Sequence, residues 1–257
     1  HSGGLQRSFT LLFANFKIKF KQFFYKILKL KNTEERVLGI HFYFHDYGIF
    51  AHLWREIFIR EIYYFQSATS SPLIIDAGSN VGIGIMYFKW LYPNAQILAF
   101  EPDPLSFSWL AKNISANNLK NITLFNAATD SQDGFSDFFR EVGVEGGLVG
   151  SLNANMNSHT TAIKVPTKRL SPFIIKPVDL LKLDIEGTEF NVVQEIQRTL
   201  SNIAQIFIEV HRQVGTDAQT QQLFKTLHNY HFRSKVTDVD MSTLVWREVA
   251  VGSYPES

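Results

Sequence analysis

The chain has 257 residues, of which 45% are hydrophobic and 19% charged, and its formal net charge is +1. This composition allows a packed core and excludes wholesale disorder. The near-neutral charge argues against a nucleic-acid binder that depends on overall charge, so no nucleic-acid partner is expected. The chain has no cysteine, which excludes disulfides and cysteine-based zinc sites and fits a reducing, cytoplasmic location.

The segment from residue 8 to residue 32 has apolar residues at helical spacing, and lysines fill much of the rest. The apolar positions are Leu12, Phe16, Phe20, Phe23, Ile27 and Leu30. Two interpretations stay open. Residues 8–32 are either a basic amphipathic helix in peripheral contact with an anionic membrane, or a helix packed on its own domain with solvated lysines. No apolar run reaches the roughly 18 to 20 residues of a membrane span.

Residues 37–65 are rich in aromatic side chains, most of which we expect in a core. Their first half alternates like a pair of strands with a turn near "HDYG" (45–48), and residues 51–64 have helical spacing. We expect residues 1–65 to form an N-terminal extension and residues 66–257 to form the main domain.

Short apolar runs then alternate with helical segments. The runs are "PLIIDAG", "AQILAFEP", "NITLFNAA", "VDLLKLDIEG" and "AQIFIEVH", and "HFRSKVTDV" with "STLVWREVAV" predicts a closing hairpin. This order predicts an α/β fold, in which a parallel sheet has helices on both faces. Ligands of such sheets bind at the carboxyl ends of the strands, so the residues that follow each strand are the functional candidates.

The first of these strands leads into a glycine-rich turn, "DAGSNVGIG" (76–84). A dinucleotide fingerprint reads G-x-G-x-x-G, because the backbone must approach a pyrophosphate closely. Here Asn80 occupies the position of the second glycine, and the carboxylate of Asp76 would repel a pyrophosphate. S-adenosylmethionine fits this turn better, because it has no phosphate and carries a sulfonium and an ammonium group.

The next two strands end in residues that suit an adenosine ligand. Glu101 closes the second strand, where a carboxylate can accept hydrogen bonds from both ribose hydroxyls. Asp103 lies near the same edge and is a weaker candidate. Asn126 and Ala127 end the third strand, where they would border the adenine.

The motifs "IIDAGSNVGIGIMYFKWLYPNAQILAFEPDP", "VDLLKLDIEGTEFNVV" and "FIEVH" resemble the FkbM-type S-adenosylmethionine-dependent methyltransferases. The resemblance covers residues 40–235; D-x-G-x-N-x-G is shared by class I methyltransferases, whereas K-x-D-x-E-G-x-E points to this family. It implies a Rossmann-like class I methyltransferase fold with a seven-stranded, mostly parallel sheet whose last strand is antiparallel. It also implies O-methylation of sugars or natural-product hydroxyls, and a cofactor site that includes Asp76, Gly78, Asn80, Gly82 and Glu101.

A hydroxyl acceptor needs positioning and a base that takes its proton during attack. Asp184 and Glu186 follow the fourth strand, and His211 ends the fifth, so these three are the catalytic candidates. Asp184 and Glu186 could instead hold the methionine ammonium or a magnesium ion. Lys182, inside the fourth strand, either pairs with a carboxylate or extends into solvent.

Residues 140–161 form an insertion between the third and fourth strands, rich in Gly, Asn and Ser. We predict a loop over the site, which is either a substrate lid or a loop without a role.

We therefore expect an S-adenosylmethionine-dependent O-methyltransferase acting on a sugar hydroxyl, free or within a glycan or glycolipid. A natural-product hydroxyl is the alternative acceptor. Two rivals from other classes are a nicotinamide-dependent oxidoreductase and a methyltransferase-like module that binds without turnover. The sequence leaves the metal requirement and the oligomeric state open.

Overall fold

The computed structural model describes residues 2–29, 31–141, 150–151, 160–185, 187–211, 217–240 and 245–252. The N-terminal part comprises helix α1 (Ser2–Leu28), strands β1 (Glu34–Val37) and β2 (Ile40–Tyr43), and helix α2 (Tyr47–Trp54), which continues into a π-helical turn (Arg55–Ile59).

The strand pair in this part turns earlier than the sequence predicts. The β1–β2 hairpin pairs Val37 with Ile40, so its turn lies at Leu38 and Gly39. The prediction of a turn near residues 45–48 is wrong, because Asp46 instead caps α2. Its carboxylate accepts a hydrogen bond from the backbone N–H of Ile49 at 2.9 Å, which satisfies one of the helix's free donors.

The rest of the chain alternates strands and helices as predicted. The elements are β3 (Leu73–Ala77), α3 (Ile83–Leu91), β4 (Gln96–Phe100), α4 (Pro104–Ala116), β5 (Ile122–Phe125), β6 (Ala128–Thr129), β7 (Gly134–Glu141), β8 (Gly150–Ser151), β9 (Thr160–Lys168), β10 (Leu180–Leu183), α5 (Glu189–Glu195), β11 (Gln205–His211), α6 (Asp217–Asn229), β12 (Phe232–Asp240) and β13 (Val245–Gly252).

The main sheet has seven strands in the order β12-β13-β11-β10-β3-β4-β5. The strands β3, β4, β5, β10 and β11 pair in parallel, whereas β13 is antiparallel to both of its neighbours. The predicted mostly parallel sheet with an antiparallel last strand is therefore confirmed. Strand order reverses between β3 and β10, and a sheet of this kind opens a ligand crevice at the carboxyl ends of such a pair.

The insertion before β10 is not simply a loop. Its described residues belong to strands of a second sheet with the order β6-β9-β7-β8, and residues 142–149 and 152–159 lie outside the described residues. Phe138 of β7 and Val165 of β9 are buried together in a small apolar cluster. The apolar residues of β7 and β9 therefore give this segment a small core, which its glycine and asparagine content did not indicate.

The N-terminal part shares a core with the main domain. Phe42, Trp54 and Phe58 are fully buried in the same cluster as Tyr87 and Phe88 of α3. The rings of Trp54 and Phe58 stack at 4.4 Å, and Phe58 meets Tyr87 edge-on at 5.3 Å. The expectation that these aromatics lie in a core is confirmed.

Two asparagines of α4 also fasten strand β2 to the main domain. Asn113 accepts from the N–H of Tyr43 at 2.7 Å and donates to its carbonyl at 2.8 Å; Asn117 makes the same pair with His41 at 2.8 and 2.7 Å. Residues four apart on a helix are about 6 Å apart along its axis, and residues two apart on a strand about 6.6 Å. The two amides therefore match the hydrogen-bonding edge of β2.

Helix α1 contacts the domain through a different face from the predicted stripe. Leu11, Ala14 and Ile18 are buried, whereas Leu12, Phe16, Phe20, Phe23 and Ile27 are exposed, and Leu30 lies outside the described residues. The lysines on the domain side are not simply solvated: Lys17 and Lys21 pair with the buried Glu35 at 3.2 and 2.8 Å. In the described part of the chain, no helix is long and apolar enough to cross a bilayer.

Candidate functional site

The glycine-rich turn brings the ends of β3, β4 and β10 close together. Gly78 has φ +83°, and a Cβ there would lie 1.8 Å from the carbonyl oxygen of Asp184, so only glycine allows the approach. Gly82 caps α3 with φ +89°, and its Cβ would lie 2.6 Å from Leu110. The N–H groups of Gly78 and Ser79 donate to the carbonyl of Phe100 at 3.0 and 2.9 Å, which fixes the turn against β4.

Glu101 is the carboxylate held most tightly by this turn. Its Oε2 accepts from the N–H of Asn80 at 2.7 Å, and its Oε1 accepts from the N–H of Asp103 at 2.9 Å. Burial raises the pKa of Glu101 to about 8, against the opposing effect of these two hydrogen bonds. In its ionised form the carboxylate has about four acceptor positions, so two would remain for a diol.

Asn80 itself has φ +49°, a conformation that asparagine tolerates better than most residues. Its Oδ1 accepts from the N–H of Val81 at 2.6 Å. The side chain therefore accepts a hydrogen bond within the turn. This contact helps to orient the Asn80 N–H toward Glu101.

The other cofactor candidates at the neighbouring strand ends have structural contacts. Asp103 caps α4, accepting from the N–H and the hydroxyl of Ser106 at 3.2 and 3.1 Å, and Arg140 of β7 lies 3.4 Å from its other oxygen. Asn126 donates to the carbonyls of Glu101 and Pro102 at 2.8 and 3.1 Å, and Ala127 is buried. These residues hold the segment after β4 in place.

Lys182 is buried at the centre of the site, so the solvent-exposed alternative for this residue is wrong. Its ammonium lies 3.1 Å from Asp76 Oδ1 and 3.4 Å from Asp184 Oδ2, and it donates to the carbonyl of Gly78 at 2.8 Å. Burial alone would lower the pKa of Lys182, but the charges of Asp76 and Asp184 raise it above the ordinary value. Lys182 is therefore a fixed cation that links β3, the glycine-rich turn and β10.

The two carboxylates around Lys182 differ in access. Asp76 is 1% exposed, and its Oδ2 has no hydrogen-bond partner among the described residues. Asp184 is partly open, with 24% of its side chain exposed. A ligand can therefore reach Asp184 directly. It cannot reach Asp76 in the same way, because Asp76 is buried and faces Lys182.

Tyr63 brings the N-terminal part into the site. Its hydroxyl donates to Asp184 Oδ2 at 3.4 Å, its ring lies 5.3 Å from the Lys182 ammonium, and it meets Phe207 of β11 edge-on at 4.7 Å. A cation near a ring face is attracted by the ring's quadrupole. Nothing in the aromatic run distinguishes Tyr63 from the core aromatics around it, so the sequence did not predict its contact with Asp184.

The other catalytic candidates are His211 and Glu186. His211 ends β11, next to β10, with its Cα paired to Val245, but its side chain lies outside what is described. Glu186 lies outside the described residues. Among the described residues, no group of three or more His, Cys, Asp or Glu side chains could hold a metal ion.

Comparison with known proteins places this arrangement in a family. The chain is 31% identical over 160 residues to Methyltransferase 1 of Beauveria bassiana, which covers 54% of the chain and 64% of that protein, so it spans less than two thirds of that relative. It is 29% identical to the 2-O-methyltransferase NoeI of Sinorhizobium fredii (54% and 63% covered). It is 26% identical to the 31-O-demethyl-FK506 methyltransferase FkbM of Streptomyces tacrolimicus (62% and 74%).

The fold has a counterpart among solved structures, and the family assignment follows from the sequence. The methyltransferase FkbM of Methylobacillus flagellatus aligns with a TM-score of 0.50 at 15% identity, covering 72% of this chain and 45% of that one. This likeness shows a class I methyltransferase fold. The Methyltransferase FkbM domain matches residues 76–234, from the end of β3 to β12 and more than half of the chain. The chain therefore belongs to the FkbM methyltransferase family.

Proposed function

We propose that this chain binds S-adenosylmethionine at the carboxyl edge of β3, β4 and β10 and transfers its methyl group to a hydroxyl of a small molecule. The observation that carries the proposal is the meeting of three features at one edge: the glycine turn, the buried Glu101 and the Asp76–Lys182–Asp184 group. Family membership supports a methyltransferase and gives no support to the nicotinamide-dependent alternative.

The residues of the edge fit this cofactor. In its ionised form Glu101 keeps two acceptor positions for the ribose hydroxyls, and Gly78 allows the turn to approach the Asp184 backbone closely. Asp76 Oδ2 and Asp184 supply negative charge in a region that would receive a cationic ligand. The cofactor supplies an activated methyl group whose leaving group is neutral.

The chain's own contribution is to position the acceptor and to manage its proton. Asp184 is the exposed carboxylate of the group, and its Oδ2 already faces Lys182 and Tyr63. Because Asp184 is already held by Lys182 and Tyr63 and is partly exposed, we assign it to orienting the acceptor hydroxyl. His211, at the end of the adjacent strand, is the residue we assign to taking the proton, because imidazole titrates near neutral pH.

The acceptor we propose is a sugar hydroxyl, with a natural-product hydroxyl as the second candidate. One relative is named as a 2-O-methyltransferase and another as a 31-O-demethyl-FK506 methyltransferase, and these names support O-methylation. Asp184, which is partly exposed, offers carboxylate oxygens that can accept hydrogen bonds from the hydroxyl groups of either class.

Calorimetric titration with S-adenosylmethionine, with NADH as the comparison, tests the cofactor. We expect binding of the first ligand, absent for NADH and weakened in Glu101→Ala. Glu34→Ala, an exposed carboxylate of β1, is the matched control and should bind like the wild type. Incubation with sugar and natural-product acceptors, followed by mass spectrometry, then identifies a product heavier by one methylene. Binding without turnover on either class would leave the non-catalytic module as the better account.

A further inference from the structure

Helix α1 has two apolar faces on opposite sides. Each residue turns the helix by about 100°, so Leu11, Ala14 and Ile18 share the face that packs on the domain. The opposite face carries six exposed phenylalanines, with accessibilities of 43% to 75%: Phe9, Phe13, Phe16, Phe20, Phe23 and Phe24. An amphipathic helix that only packs on its own domain needs one apolar face, so the second face calls for an occupant.

The exposed face is continuous along the helix. Phe20 lies 4.7 Å from Phe24 and 6.4 Å from Phe16 between ring centroids, and Phe23 meets Phe24 edge-on at 6.0 Å. The rings therefore form a surface more than two turns long instead of isolated apolar residues. Contiguous exposed surfaces of this kind mark sites of protein or membrane interaction.

Charge along this helix distinguishes between those occupants. Residues 1–33 contain no Asp or Glu, and they carry Arg7 and six lysines. By the same rotation, Lys19 and Lys26 border one edge of the aromatic face, and Lys17 borders the other. Lys19 and Lys26 are exposed. A second copy of α1 would bring the same cationic edges against these without any carboxylate on either helix to pair with them.

The docking of α1 fixes this surface outward. Glu35 of β1 is buried and receives Lys17, Lys21 and the hydroxyl of Tyr47, the last at 2.9 Å. Burial alone would raise the pKa of Glu35, but the hydrogen bonds from Lys21, Tyr47 and Lys17 lower it, so the carboxylate stays charged and the contacts persist at mildly acidic pH. The domain thus holds one face of α1 and presents the other.

We propose that the outer face of α1 docks on an anionic lipid bilayer, with the helix lying in the plane of the interface. The phenylalanines enter the boundary between headgroups and acyl chains, while Lys19 and Lys26 reach anionic headgroups along one edge of the aromatic face. No described helix can cross the bilayer, so the contact is peripheral. This inference stands independently of the proposed methyl transfer.

Co-sedimentation of the full chain with vesicles of phosphatidylcholine alone, or of phosphatidylcholine and phosphatidylglycerol, tests the proposal. We expect binding to the anionic vesicles, weakened by salt because the lysine contribution is screened. Phe16→Ser/Phe20→Ser should lower the partition coefficient by at least about tenfold, because two apolar side chains no longer leave water. Phe135→Ser, which removes a ring of similar exposure on β7, is the matched control and should bind normally.

A charge variant separates the two contributions. Lys19→Glu/Lys26→Glu should lower binding to anionic vesicles by at least about tenfold, since each basic residue near such a surface contributes about 1 kcal/mol. Lys120→Glu, an exposed lysine beyond α4, should not. Far-ultraviolet circular dichroism and thermal melting check that each variant folds. Absence of vesicle binding by the folded wild type would overturn the proposal, as would self-association, seen by analytical ultracentrifugation, that Phe16→Ser/Phe20→Ser abolishes while vesicle binding is unchanged.

Discussion

Replacing Lys182 by methionine removes the only cation that the described structure places beside Asp76 and leaves that carboxylate buried at 1% exposure. The folded variant can then avoid a buried charge only by protonating Asp76. For a carboxyl group of ordinary pKa near 3.9, protonation at pH 7 costs about 4 kcal/mol, within the roughly 3–5 kcal/mol typical of a buried ion pair that loses one partner. Asp184 adds little, because water reaches it.

The stability lost in Lys182→Met should depend on pH in a defined direction. A buried carboxyl group without a counter-ion binds a proton in the folded state that the unfolded chain does not bind, so Lys182→Met is least impaired at low pH and loses stability as pH rises. The deficit relative to wild type should shrink by about 1.4 kcal/mol per pH unit as pH falls from about 7.5 to about 5.5. Comparison with wild type at each pH removes the contributions of all other groups.

Urea unfolding, followed through the fluorescence of the four tryptophans, measures these differences. The double variant Asp76→Asn/Lys182→Met should recover much of the lost stability, because it removes both charges. Lys176→Met, at an exposed lysine, is the control for the substitution itself and should change stability little. A deficit under about 1 kcal/mol, a deficit independent of pH, or a double variant no better than the single one would refute the assignment of Lys182 as the counter-ion of Asp76.

Three further predictions concern the glycine turn, the carboxyl group of Glu101 and the docking of β2. Gly78→Ala should lower the free energy of unfolding by more than about 3 kcal/mol, because its Cβ would overlap a backbone oxygen. Gly39→Ala, with a similar φ of +78° and open space around it, should lower it by only about 1–2 kcal/mol. Urea unfolding measures both losses, and equal losses would argue against the close approach at Gly78. The pKa of Glu101 is raised to about 8, so the ligand-free protein should lose stability as pH rises from about 5 to about 8, by at most about 5 kcal/mol from this group; thermal melting of Glu101→Gln should show a flatter profile, and an unchanged profile would contradict the burial of a titrating carboxyl. Asn113→Ala should cost about 1–3 kcal/mol and speed hydrogen exchange at the N–H of Tyr43; unchanged exchange would show that the amide does not hold β2.

Local patterns predicted the sheet because they reflect burial that each strand needs by itself. The short apolar runs at β3, β4, β10 and β11 are what a strand covered on both faces requires, and the helical spacings between them fix the crossovers. Gly78 and Gly82 predicted a tight turn because a glycine's backbone conformation is a local property. The fold class, and the strand ends where we propose the site, follow from these features.

The N-terminal part was harder to predict because several local preferences compete there. Asp46 can serve a turn or a helix cap, and its capping of α2 moved the hairpin turn to Leu38 and Gly39. The amphipathic pattern of α1 identified a helix and its aromatic stripe, but a helix with apolar residues on two sides does not indicate which side a domain will cover. That choice depended on the pairing of Lys17 and Lys21 with Glu35 of β1.

By itself, the sequence determined the fold class, the glycine turn and the strand-end carboxylates, because each is a property of residues near one another in the chain. Only the tertiary structure decided the state of Lys182, the approach of Tyr63 and the hydrogen bonds from Asn113 and Asn117 to β2. These contacts join residues separated by about a hundred positions or more in the first two cases and by 70 and 76 positions in the third. A side chain's charge and hydrogen-bonding capacity are fixed by its type, but its partner is set by which distant backbone the packed core brings alongside it.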